Sequence, residues 1–321
     1  MINGSEIRHD LISGNWVIIS PKRGRRPNDF EKKKKKSCPF EDNILGQNVV
    51  IFYDNPKNWR VAVLQNKYPA VAHGAGQIVK EKSRTYETLK GFGHHELVVT
   101  RSHKNNFPKL SPKDAIKVFE VFRERFEVLK KEKDVAYISI FHNWGAAAGA
   151  SILHPHYQIL AVPIIPRLVG TSLENSERYF RKTGRCMHCR AIARELKEKK
   201  RIVFKNKSAL VVAPYVSREP FQLRVYPLKH RPYLEETPDS ELKDVALALR
   251  HALLKLEKKI KKSDYNFFIH SAPVKKEKSF KHYHWHVEVL PKLNISAGFE
   301  LGTGIEINTV DPDDAARVLR K

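Results

Sequence analysis

Cysteine is scarce: the chain has three in 321 residues, Cys38, Cys186 and Cys189. An odd count with one close Cys-x-x-Cys pair argues against a disulfide framework and for metal or redox use. Long apolar runs are lacking as well. None approaches the ~20 residues that cross a bilayer, and the N-terminus has no signal-like apolar segment, so a soluble cytoplasmic chain without a membrane partner is expected. Acidic residues are outnumbered, 35 against 59 lysines and arginines, leaving a net charge of +24. That excess suits an anionic ligand (phosphate, nucleotide or nucleic acid), and equally a lysine-rich solvated surface. Lys32–Lys36 and Lys197–Lys200 read as solvated segments. Abundant lysine with only two Met and five Gln also fits adaptation to heat. Hydrophobic content of 41% supports a real core, and the length suits two domains.

The chemistry is concentrated in His154-Pro155-His156-Tyr157-Gln158. This run lies between a small-residue loop, Asn143 to Ser151, and an apolar strand, Ile159 to Val162. Strand alternation puts His154, His156 and Gln158 on one face and Tyr157 on the other. A neutral imidazole can attack phosphorus, and a second can bind a metal. The Gly/Ala-rich loop can present backbone N–H groups to an anion.

The chain reads as a duplication. Ser111-Pro112 opens a helix with Ile116, Phe119, Phe122, Phe126 and Leu129 at helical spacing, and Thr237-Pro238 opens another with Leu242, Val245, Leu249, Leu253, Leu256 and Ile260 on one face. Each is preceded by a strand ending near a histidine, His103 or His230, and followed by a strand, a loop and a His-x-His strand. By spacing, His282 matches His154, His284 matches His156, and His286 matches Gln158. The expected fold is therefore α+β, two tandem histidine-triad-like halves, each an antiparallel sheet covered by helices. The division falls at 1–165 and 166–321, where Pro163, Pro166 and Gly170 punctuate the chain. Chemistry is expected in the first half, because the second lacks the glycine-rich loop.

Ser151, His154-Pro155-His156 and Gln158, following the Asn143 to Gly149 loop, resemble the active site of the galactose-1-phosphate uridylyltransferase family, within the histidine-triad superfamily. Further resemblances run along the chain: Ser20 to Pro27, Cys38-Pro39-Phe40, Gln65 to Ala70, Gly298 to Asn308, and Asp314 to Arg320. The resemblance implies that His156 attacks the α-phosphorus of a UDP-sugar and forms a covalent uridylyl-histidine. Sugar 1-phosphate leaves, and a second sugar 1-phosphate accepts the uridylyl group. Gln158 stands where hydrolytic relatives carry a third histidine. An amide can hold a phosphoryl oxygen but cannot supply a proton, which suits transfer between phosphates.

By the same resemblance Arg23 and Arg26 pair with phosphate, Asn66, Asn143, Gly149 and Ser151 hold nucleotide and phosphate, and Phe299 and Glu300 belong to a sugar-binding stretch. It also implies one or two structural Zn2+ sites. The first carries over to Cys38, His103 and His154, with Glu41 where a second cysteine is expected. The second uses Cys186, Cys189 and His230 with His282 or His284. The repeat alignment favours His282, whereas the family's variable second metal site favours histidines of the His284-x-His286 type with one like His270, and Ser172 lies near that site's glutamate position. The expected partners are a nucleotide sugar, a sugar 1-phosphate and a second copy of the chain, with no specific nucleic acid. A cousin, ADP-glucose phosphorylase, fits nearly as well. A basic nucleic-acid-binding protein is the alternative from another class.

Overall fold

The computed structural model describes residues 5–11, 14–20, 38–41, 44–74, 80–82, 87–260, 264–274 and 280–321. Arg23 and Arg26 lie outside the described residues. No described helix is long and apolar enough to cross a membrane.

The first half contains β1 (Glu6–His9), β2 (Trp16–Ile19), β3 (Val49–Asn55), β4 (Asn58–Gln65), β5 (Ala72–His73), β6 (Lys80–Lys82), β7 (Glu87–Lys90), β8 (Phe92–Thr100), α1 (Pro112–Leu129), β9 (Tyr137–Trp144) and β10 (His156–Val162). The second contains α2 (Arg167–Thr183), α3 (Met187–Glu198), β11 (Ile202–Lys205), β12 (Ala209–Val212), β13 (Leu223–Pro227), α4 (Asp239–Lys259), β14 (Tyr265–His270), β15 (His286–Pro291), α5 (Gly298–Thr303) and α6 (Pro312–Arg320). The main sheet runs β11-β12-β13-β15-β14-β9-β10-β8-β4-β3, with β5 beside β8. Read outward from its centre, β9-β10-β8-β4-β3 mirrors β14-β15-β13-β12-β11. The expected antiparallel halves are present and fused edge to edge through β9 and β14, with Phe267 opposite His142 and Asn266 opposite Asn143. A separate small sheet, β2-β1-β7-β6, was not foreseen in the sequence.

Alternation along each strand divides the sheet into two faces. On β8, Val98 faces the helices, while Leu97 and Val99 join Phe40, Trp59 and Leu64 on the other side. Helices α1 and α4 pack against each other and against the strands of their own halves. Their periodic residues, including Phe119, Phe122, Phe126, Val245, Leu249 and Leu253, are almost completely buried in one core shared by both halves. Each such side chain contributes about 1.5–3 kcal/mol on leaving water. Tyr157 enters this same core, fully buried among Phe107, Phe122, Phe267 and His142, on the face opposite Gln158 as its parity requires.

The helix starts follow the sequence in one case and shift in the other. Ser111 caps α1, its side chain accepting from Asp114 N, with Pro112 in the first turn. Helix α4 begins one residue later than Thr237-Pro238 suggested, with Pro238 at its cap, and Thr237 Oγ1 accepts from Trp285 Nε1 at 2.9 Å. The stretch read as a joint is mostly helix. Pro166 sits just outside α2, where proline costs nothing, and Val169, Leu173 and Ser176 bury one side of it despite Gly170.

One ion pair locks α1 onto the sheet from within. Arg125 meets Glu96 of β8 in a two-pronged contact, Nε to Oε2 at 2.8 Å and NH2 to Oε1 at 2.6 Å, with both residues buried. Removing one partner strands a buried charge, whereas removing both charges does not. Arg125→Met is expected to cost about 3–5 kcal/mol in denaturant unfolding, and Arg125→Met with Glu96→Gln to recover most of that loss. Equal losses in the two variants would mean that the charge is not the source of the effect.

Candidate active site and metal centres

On the face away from the helices, a cleft of about 160 Å³ is lined by Phe40, Asn66, Tyr68, Ser151, His156 and Gln158, among others. His156 opens β10 and is 7% exposed. Its Nδ1 lies 2.9 Å from the carbonyl oxygen of His154. A carbonyl only accepts, so the ring hydrogen sits on Nδ1 and the lone pair on Nε2, the tautomer a nucleophilic imidazole needs. Below the strand, His142 Nδ1 donates to the carbonyl of His156 at 2.7 Å, which fixes the backbone that carries the His156 ring.

His154 does not join His156 and Gln158 as strand alternation suggested. It lies in the turn before β10 and faces a different group: its Nδ1 is 3.4 Å from Cys38 Sγ and 3.3 Å from His103 Nδ1. His103 Nδ1 is also 3.1 Å from a Glu41 carboxylate oxygen. The donor atoms of Cys38, Glu41, His103 and His154 lie within 4.8 Å of one another. Those of Cys186, Cys189, His230 and His284 do the same in the second half, with Cys189 Sγ 3.3 Å from His230 Nδ1 and 3.4 Å from His284 Nδ1. The Cys186 thiol is driven strongly down, first by the hydrogen bond from Cys189 and then by His230 and His284, against burial.

Both sets fit a metal ion by their outer contacts. His154 Nε2 is 2.7 Å from Thr100 O, His284 Nε2 is 3.0 Å from Pro227 O, and His230 Nε2 is 2.9 Å from Lys281 O. Each outer nitrogen donates to a carbonyl, which turns the Nδ1 lone pair inward.

This geometry corrects the repeat alignment by two residues. His284 matches His154, so His286 matches His156 and Glu288 matches Gln158. His286 Nδ1 lies 3.1 Å from His284 O, as His156 Nδ1 does from His154 O at 2.9 Å. Counting from the helix caps misplaced the match because the connection from β14 to β15 is longer, and loops absorb insertions that strands do not. His284, not His282, thus completes the second donor group. His270 and His286 do not form a metal set with His284: they stack at 4.7 Å, and His270 Nε2 meets Glu288 at 3.0 Å. Glu288 also receives Arg224 at 3.2 Å and Arg218 at 3.4 Å. Burial raises its carboxyl, but the His270 hydrogen bond and the Arg224 charge outweigh this and hold it down at about 2.

The small-residue loop is a turn whose hold comes from the other half. Asp264 Oδ2 accepts from Ala147 N at 2.7 Å, and Asn266 Nδ2 donates to Asn143 Oδ1 and to Ala148 O, both at 2.8 Å. Gly145 has φ +86°, and a Cβ there would sit 2.0 Å from the Asp264 carboxylate, so only glycine fits. Asn143 and Gly149 thus shape the loop, whereas Ser151 and Asn66 line the cleft. Phe299 and Glu300 are elsewhere: Phe299 is 52% exposed on α5, and Glu300 caps its own helix by accepting from Ala297 N at 3.1 Å.

Sequence reasoning missed Asp264, Asn266, Glu96, Arg125 and His95. Strand parity could have found His95, which lies on the same face as Leu97, but nothing local marks Asp264 or Asn266.

Burial dominates the behaviour of His142, pushing it from its ordinary 6.5 down to about 3. Below pH 6.5 the unfolded chain takes up a proton that the native chain refuses, so stability falls as pH drops from 6.5 towards 3. The slope per such histidine is about 1.4 kcal/mol per pH unit. His142→Gln is expected to flatten the stability profile between pH 4 and 6 by about one proton. Parallel profiles for the two proteins would show that His142 does not titrate in that window.

Residues 2–166 match the N-terminal domain of galactose-1-phosphate uridyl transferase, and residues 172–314 match its C-terminal domain. ADP-glucose phosphorylase of Arabidopsis thaliana is 31% identical over 98% of this chain and 92% of its own length. Galactose-1-phosphate uridylyltransferase of Thermotoga maritima is 28% identical, covering 98% of each chain. Among solved structures, a uridylyltransferase superposes with a TM-score of 0.84 at 29% identity, over 98% of this chain and 97% of the other. The Arabidopsis thaliana ADP-glucose phosphorylase with bound ADP-glucose gives 0.79 at 31% identity, over 99% of both chains. The two-domain match over most of the chain settles the lineage: the chain belongs to the galactose-1-phosphate uridyl transferase family.

Proposed function

We propose that the chain is a nucleotidyltransferase that converts a nucleoside diphosphate sugar and a hexose 1-phosphate through a covalent His156 intermediate, as a UDP-glucose–hexose-1-phosphate uridylyltransferase of galactose metabolism. The observation that carries this reading is the His156 Nδ1 contact to His154 O at 2.9 Å in a cleft shared with Gln158. His156 Nε2 supplies the lone pair, an N–P bond forms at the α-phosphorus, and the bond to the bridging oxygen breaks. Sugar 1-phosphate leaves carrying the electron pair and needs no proton. The His154 carbonyl stabilises the positive charge that develops on the ring. A phosphate oxygen of the incoming hexose 1-phosphate then attacks phosphorus and releases the histidine. Gln158 and Ser151 hold phosphoryl oxygens, Asn66 holds nucleotide, and Arg23 and Arg26 pair with phosphate.

The Cys38–Glu41–His103–His154 and Cys186–Cys189–His230–His284 sets would each hold a zinc ion, whose contribution is structural. Residues 1–165 carry the chemistry and 166–321 support it. Phe299 and Glu300 act on the sugar from a second copy of the chain. Ile295, Leu301 and Ile307, at 96%, 76% and 56% exposure, give that arm an apolar surface suited to a partner copy. The protein works in the cytoplasm, and neither membrane nor specific nucleic acid enters the reaction.

The Arabidopsis thaliana relative at 31% identity supports a second reading, ADP-glucose phosphorylase, in which inorganic phosphate takes the place of the hexose 1-phosphate. Incubation with UDP-glucose or ADP-glucose labelled at the α-phosphate separates the two. Acid-labile, base-stable label on protein is expected from UDP-glucose, and none on His156→Ala. Label from ADP-glucose alone would favour the phosphorylase, and label retained by His156→Ala would remove the nucleophile assignment. Metal analysis of the purified chain is expected to find two zinc ions, with one lost in Glu41→Ala and the other in Cys189→Ser. An unchanged content in Glu41→Ala would exclude Glu41 as a ligand.

A further inference from the structure

His95 is 1% exposed and Gln158 4%, and the two meet at 3.0 Å between His95 Nε2 and Gln158 Oε1. The tautomer of His95 follows from its other nitrogen. Backbone Ala70 N–H donates to His95 Nδ1 at 3.0 Å, and a nitrogen that accepts carries no hydrogen. The neutral ring therefore has its hydrogen on Nε2. Asn66 Nδ2 lies 3.1 Å from that nitrogen but offers only hydrogens, and its own carbonyl oxygen takes Tyr68 N–H at 2.9 Å. Gln158 Oε1 is the acceptor that the His95 hydrogen can serve. The two ends of a glutamine amide are nearly the same shape, so only such a partner decides which end faces which way.

We propose that His95 is a positioning residue that pins the carbonyl end of Gln158 and so presents its NH2 to the phosphoryl group attacked by His156. This deepens the nucleotidyltransferase reading and rests on it. With the amide reversed, a carbonyl oxygen would face a phosphoryl oxygen and repel it. Held as it is, the NH2 is aimed in advance at the position where charge builds on phosphorus, the arrangement that contributes most to rate.

The second half carries the same device in a different chemistry. His95 lies opposite Leu160, two residues beyond Gln158 on β10. Leu223 lies opposite Val289, which puts Gln222 opposite Leu290, two residues beyond Glu288 on β15. Gln222 Nε2 donates to Glu288 Oε1. At matching places in both halves, a buried donor on the neighbouring strand grips the oxygen of the side chain two residues past the strand's first histidine. The donor type changed, but the contact persisted.

The test combines His95→Ala, His95→Gln, Gln158→Ala and the double variant His95→Ala/Gln158→Ala. Readouts are the single-turnover rate of protein labelling from UDP-glucose and ADP-glucose, the calorimetric affinity for UMP and AMP, and the nitrogen-15 spectrum of histidine-labelled protein. His95→Ala is expected to slow labelling about 10- to 100-fold, the range set by small misplacements of a reacting group. Affinity for the better-bound monophosphate should change less than about threefold, since the effect lies in the phosphoryl contact. His95→Gln, which copies the Gln222 donor, should restore most of the rate. The double variant should be no slower than Gln158→Ala, because His95 acts through that amide. Multiplying losses in the double variant, or an unchanged rate in His95→Ala, would overturn the proposal. If the parent chain takes label from neither donor, the nucleotidyltransferase reading fails separately. The histidine spectrum reads the pinning itself without substrate: His95 with its hydrogen on Nε2 upholds it, and a hydrogen on Nδ1 overturns it.

Discussion

The antiparallel pairing of β9 with β14 is the contact on which the rest of the molecule depends. It joins two five-stranded arrays into one sheet and brings Asp264 and Asn266 of the second half beneath the loop of the first. The same pairing sets Phe267 opposite His142, and His142 holds the backbone of His156. Cleft, loop and core are therefore not separable by half. The second half keeps the first in working shape through backbone and amide contacts at the seam.

The halves have kept one frame and differ in charge at one pair of positions facing their clefts. Gln158 and Glu288 occupy equivalent sites two residues after equivalent histidines. In the first half the neutral amide adds no charge to the cleft. In the second, the carboxylate has gathered Arg224, Arg218 and His270 around itself, and the cavity of about 310 Å³ there is lined by these groups. A buried acid needs such company, since an unpaired buried charge is far more costly than a paired one. Those partners satisfy Glu288 and leave the pocket unlike its counterpart.

Much of this was legible in the residues. Ser111-Pro112 announces α1, because capping and a first-turn proline are local chemistry. The phenylalanines of α1 and the leucines of α4 announce the shared core by period alone. His156 and Gln158 stand out by strand spacing, whereas the Cys38, Glu41, His103 and His154 group comes from the family resemblance and the second group from its Cys-x-x-Cys pair. What spacing could not give was register: the match of His284 to His154 depends on a loop of different length, and only strand pairing counts residues in space. Pro166 and Gly170 suggested a joint where α2 forms, because the burial of Val169 and Leu173 outweighs the cost of one glycine. Asp264 and Asn266 carry no local signal, since their partners lie more than a hundred residues away along the chain.

The two donor sets also differ in a way that bears on life under oxidants. Glu41 stands beside Cys38 where Cys186 has Cys189 for company. Two neighbouring thiols can close on each other under peroxide, but a thiol facing a carboxylate has no second thiol beside it. The half that carries His156 is thus spared an internal cross-link next to that residue, and the half remote from it holds the pair that could form one. Damage of that kind would fall first on the second half and reach the cleft through the seam and the shared core.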